Sequence, residues 1–139
     1  MTWVKEWRKI APRFTTGALR QLSEDLVNNP DKVLTGLTVQ YTPDATGVCQ
    51  GCPLTLAVWY SEQERGLPFS PRRFHTECHD VLCESLEVIR FVDEEGVDRA
   101  EKFAKLREQV ELTVQERTSS PDILPCLDSV IFLGWFLIS

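Results

Sequence analysis

The sequence predicts an α+β fold, a small antiparallel sheet packed against helices, in a single domain spanning residues 1–139. Three observations carry that prediction. Apolar residues recur at helical spacing near 16–28 and 96–116, and segments near 35–42, 54–60 and 128–138 read as strands. Leu, Ile, Val and Phe together make up 41 of 139 residues, enough to bury one core and too many for a disordered or fibrous chain. The length suits one folded unit, and the chain shows no internal repeat or low-complexity tract.

Element by element, Trp3, Val4, Trp7 and Ile10 have helical spacing, so residues 2–11 read as a short amphipathic helix ended by Pro12. Thr15 or Thr16 is placed to cap a second helix through Asn28, with Leu19, Leu22, Leu26 and Val27 as its apolar stripe. Asn28-Asn29-Pro30-Asp31 breaks it. Leu37, Val39 and Tyr41 then alternate with polar residues, and the cluster from Thr42 to Gly47 makes a turn. Leu54, Leu56, Val58 and Tyr60 alternate with Thr55, Ala57 and Trp59, which predicts a second strand apolar on both faces. The two strands form a hairpin with Cys49–Cys52 at its tip. Residues 61–72 read as a surface loop and 73–86 as a helix. Strand and helix compete over 87–92. Val97, Ala100, Phe103, Leu106, Val110 and Val114 mark the clearest helix, and the run Val130 to Ile138 suits a last buried strand.

The formal charge is −6, which disfavours a general nucleic-acid binder. The charge is uneven. Lys5, Arg8, Lys9, Arg13 and Arg20 face only Glu6 in the first twenty residues, whereas Glu77, Asp80, Glu84, Glu87, Asp93, Glu94, Glu95 and Asp98 face only Arg90 further on. Either region is a partner surface or a solvated helix face. The start of the sequence has no apolar signal-like segment and no run reaches the length of a membrane span, so a cytoplasmic, reducing setting without membrane association is expected. Five cysteines in such a setting are not a disulfide framework by default.

Four cysteines and both histidines gather as Cys49-x2-Cys52, twenty-two residues, then His75-x2-Cys78-His79-x3-Cys83. Thiolate and imidazole are the donors zinc prefers, and four of them close a structural site. Gly51 gives the first pair backbone freedom for a tight turn. His75 and Cys78 lie three apart on a predicted helix, with His79 and Cys83 as alternates. The expected ligands are Cys49, Cys52, His75 and Cys78, with zinc pinning the hairpin tip to the helix. Cys126, beside Pro125, reads as a buried thiol.

This pattern is similar to the first zinc module of LIM-type fingers, and more broadly to treble-clef fingers. The resemblance covers residues 49–78 alone. It implies one zinc shared by a knuckle and the first turn of a helix. The second LIM module is absent, so the family's partners do not carry over.

Three function classes follow. The leading one is a small cytosolic zinc-stabilised binding or regulatory protein that recognises a protein partner. Its candidate contacts are Trp3 and Trp7, with Arg72 and Arg73, and a phage or mobile-element inhibitor would fit the description. The second is a zinc-dependent hydrolase or deaminase-like enzyme using Glu77. Its His75-x-Glu77 and Cys49-x2-Cys52 match a nucleobase deaminase only in reversed order, and Glu77 is misplaced for a zinc protease helix. The third covers a redox pair at Cys49–Cys52 or a nucleic-acid-binding zinc protein. The redox reading suffers because a strand is expected after Cys52, where a helix N-terminus would lower a thiol pKa. The nucleic-acid reading needs Arg65, Arg72 and Arg73 on one face beside Trp59 and Tyr60.

Overall fold

The computed structural model describes residues 2–35, 39–94 and 98–119. Among these residues the chain forms α1 (Thr2–Ile10), α2 (Thr16–Asn28), β1 (Val39–Tyr41), β2 (Val48–Gly51), α3 (Pro53–Glu64), α4 (Pro71–Cys83), α5 (Leu86–Asp93) and α6 (Arg99–Ser119). Helices dominate, and the sheet is a two-stranded antiparallel hairpin. The α+β expectation holds in that helix-rich form.

The two helices with clean periodicity form as the sequence predicts. Thr15 caps α2 by accepting a hydrogen bond from the Ala18 amide at 3.1 Å. Leu19, Leu22 and Leu26 are buried, but Val27, expected in the same stripe, is 47% exposed. On α6, Phe103, Leu106 and Val110 are buried, while Ala100 faces solvent. Helix α2 packs against both α3 and α6, and α1 packs against α5.

Residues 54–60 correct the prediction, because they are helix rather than strand. Cys52 is the extended N-cap, Pro53 takes the first helical position, and the helix runs twelve residues. It is apolar around its whole circumference, with Leu54, Leu56, Ala57 and Val58 all buried, so it is a central core helix. Gly66, at φ +74°, ends it: the Gly66 amide bonds to Gln63 and the Leu67 amide to Glu62. The expected loop therefore shrinks to the stretch between Glu64 and Pro71. The hairpin partner of β1 is β2, so the cysteine pair does not sit at the hairpin tip.

Residues 87–92 are also helical. Glu6 on α1 accepts hydrogen bonds from the Glu87 and Val88 amides at 2.6 and 3.0 Å and so caps α5. The buried Lys102 ammonium donates to the Val92 and Glu94 carbonyls at the other end. Anion at the start and cation at the end both suit the helix dipole. The expected strand 128–138 and Cys126 lie outside the described residues.

Within the hairpin, Gln40 faces Gln50 and Tyr41 faces Val48, so the register slips by one residue at Cys49. Gly47 lies against Trp59. A Cβ there would meet the indole at 2.9 Å, so glycine is what lets the hairpin close onto α3. Tyr41, Trp59, Phe69 and Phe74 then form one aromatic cluster, with ring centroids 5.4 to 6.3 Å apart where they pack.

Candidate functional site

The expected zinc ligands fall in three different settings. Cys49 is exposed, and its thiol is 3.4 Å from the Gln40 carbonyl and 3.5 Å from that of Tyr41, which accept from it. Cys52 and Cys78 are buried. Cys52 Sγ lies 3.1 Å from Thr55 Oγ1, within hydrogen-bond reach. Burial pushes both thiols up. That of Cys78 rises to about 12, with the neighbouring Cys52 as a second cause. His75 is exposed on α4.

The reason is the orientation of α4. Phe74, Cys78 and Val81 point into the core, so His75, His79 and Cys83, one or two residues further on, line the outer face. Among the described residues no three His, Cys, Asp or Glu side chains are grouped to hold a metal ion. Cys49, Cys52, His75 and Cys78 are thus not grouped as a four-donor set among these residues. Glu77 is exposed on α4 and has no metal-ligand group beside it among those residues.

A helix does follow Cys52, so the local dipole favours a thiolate there. Burial opposes it and raises the Cys52 thiol. The expected strand was thus the wrong objection, and desolvation is the real one. On the folded protein with Cys126→Ser to remove its signal, a thiol reagent is expected to label Cys49 and Cys83 quickly and Cys52 and Cys78 only on unfolding. Fast labelling of all four would contradict the burial described here.

The candidate partner contacts also move. Trp7 is fully buried and Trp3 nearly so. Trp3 stacks on Phe91 at 4.2 Å, and Trp7 donates from Nε1 to Thr113 at 3.0 Å. Both indoles are core residues, which removes the argument for them as surface anchors. Arg73 donates to Glu62 at 3.2 Å and to the Pro68 carbonyl at 2.6 Å, and Arg65 donates to the Arg13 carbonyl. Two of the three arginines proposed for nucleic acid thus hold the fold together. Arg72 stays exposed. Tyr60, expected as a stacking platform, is tied through its hydroxyl to Asp25.

The feature that sequence reasoning missed lies between α2 and α6. There an open groove of about 800 Å³ is lined by Arg20, Ser23, Glu24 and Val27 from one helix and by residues including Ala104, Glu108 and Leu112 from the other. Val27 and Leu112 are 47% and 37% exposed. Ser23 Oγ accepts from Arg107 at 3.2 Å and donates to Glu111 at 3.1 Å, which ties the two helices together. Leu112 was the available signal, because it falls outside the Phe103–Leu106–Val110 stripe and has no place in the core.

No family model, curated protein or solved structure matches this chain. No helix among the described residues is long and apolar enough to cross a membrane.

Proposed function

We propose that the protein is a binding module that takes an amphipathic, lysine- or arginine-bearing helix of a partner protein into the α2–α6 groove. The observation that carries this reading is the groove itself, open along two helices with two exposed aliphatic side chains on its walls. An apolar helix stripe fits such a slot at i, i+3, i+4 and i+7 spacing. Charge selects the sign of the partner. Glu24, Glu108 and Glu111 line the groove against Arg20 and Arg107, and Arg107 is paired with Glu111 at 3.1 Å. The chain as a whole carries −6, which favours encounter with a basic segment. A regulatory or inhibitory role would follow from which partner is held.

The test combines Val27→Ser with Leu112→Ser, which removes both apolar contacts without adding charge. Both positions are exposed, so the fold should lose no more than about 0.5 kcal/mol at each site. A displayed library of basic amphipathic helices is selected on the wild type. The selected peptides should lose at least about tenfold in affinity on the double variant, the scale of one lost hydrophobic anchor. They should also form photo-crosslinks from position 112 and not from the exposed control position 86. Equal binding to the double variant, or equal crosslinking from both positions, would overturn the reading.

A further inference from the structure

We propose that His79 and Cys83 are half of a zinc site that a second copy of the chain completes. The two side chains lie one helical turn apart at the end of α4, both exposed. Cys83 Sγ is 3.7 Å from Nδ1 and from Nε2 of His79. Zinc–sulfur and zinc–nitrogen bonds of about 2.3 and 2.0 Å at a tetrahedral angle place those donors about 3.5 Å apart. The pair is thus within reach of one ion, and a turn of the exposed His79 ring would aim one of its nitrogens at an ion held by Cys83 Sγ.

Among the described residues, no third donor joins these two. His75 shares the face but sits eight residues from Cys83, about 12 Å along the helix, too far to ligate the same ion. That agrees with the lack of any three-donor group among the described residues. Zinc held by one imidazole and one thiolate keeps two open positions. A two-fold axis through the ion brings an identical pair from a second α4 and gives a closed Cys2His2 tetrahedron.

The surroundings favour the cation and disfavour a dimer without it. Asp80 is exposed one residue after His79 and three before Cys83, so two apposed copies bring like charges together until an ion lies between them. On binding, each thiol gives up its proton to solvent. The ion's two positive charges are then balanced by two thiolates, and zinc affinity rises with pH.

The experiment is sedimentation of the full chain under a non-thiol reductant, which prevents a disulfide dimer, with zinc or with a chelator. The apparent mass should double with zinc, saturate at one zinc per two chains, and return on chelation. His79→Ala and Cys83→Ser should each abolish the doubling, whereas Cys49→Ser and His75→Ala should leave it intact. Cobalt in place of zinc should give the intense visible bands of a tetrahedral thiolate site in the wild type and lose them in Cys83→Ser. A mass unchanged by zinc, a dimer that survives both α4 substitutions, or one lost in Cys49→Ser would overturn the proposal.

Discussion

Replacing Trp7 by alanine is expected to cost about 3–5 kcal/mol, the range for removing a fully buried aromatic side chain. Small domains are stable by only about 5–15 kcal/mol in total, so this one change should leave the protein close to unfolding. The indole is fully buried and has Phe14 as a neighbour at 6.0 Å between centroids. Its N–H reaches Thr113 on α6, 106 residues away, so it links the first helix to the last one described. Truncation therefore leaves a cavity and also loosens the seat of α1. Trp7→Phe keeps most of the apolar contact and loses one hydrogen bond, for a cost nearer 1 kcal/mol. Urea unfolding followed by circular dichroism measures both. A loss below about 1 kcal/mol in Trp7→Ala would mean that α1 is not part of the core.

Where a sequence signal is local and periodic, it was legible. Thr15 followed by Leu19, Leu22 and Leu26 gives a cap and a 3.6-residue stripe, and α2 forms there. Residues 54–60 failed because a helix buried on all sides has no polar face to set its period, so its apolar run alternates as well as a strand does. Pro53 at the first helical position was the overlooked cue. Helix α5 was ambiguous because its cap comes from Glu6, more than eighty residues away. Spacing alone did not show which side of α4 faces the core. It places His75 and Cys78 within one turn of a helix, but the core boundary runs between them, with Phe74 and Cys78 inside and His75 outside. The groove arises from two distant helices, so only Leu112, an aliphatic residue outside the core stripe, could have hinted at it.

Asp25→Ala is the second substitution expected to damage the fold severely, by about 3 kcal/mol, because it strands the partners of a buried carboxylate. Asp25 is completely buried on α2. Its Oδ2 accepts from the Tyr60 hydroxyl at 2.5 Å, and its Oδ1 accepts from Gln21 and Asn29 at 3.1 and 2.9 Å. Lys32 stands 3.8 Å from Oδ2 and donates to the Tyr60 oxygen at 2.9 Å. The network joins α2 and α3 through the turn that follows α2. It also predicts alkaline sensitivity. Burial, and then the Asp25 carboxylate, hold the Tyr60 phenol above its ordinary range. The folded state thus favours the neutral phenol, and that contribution is intact below about pH 10 and lost as pH rises through the raised value. Cys78 acts in the same direction from lower pH, because its thiol moves from an ordinary value of about 8.5 to about 12. Stability measured by urea should therefore start to fall near pH 9 and fall more steeply above pH 10. Cys78→Ala should shallow the first part of that slope, with buried Cys52 keeping the rest, and Tyr60→Phe should shallow the second. A Tyr60→Phe protein whose alkaline slope matches the wild type would show that the phenol is not held neutral by this network.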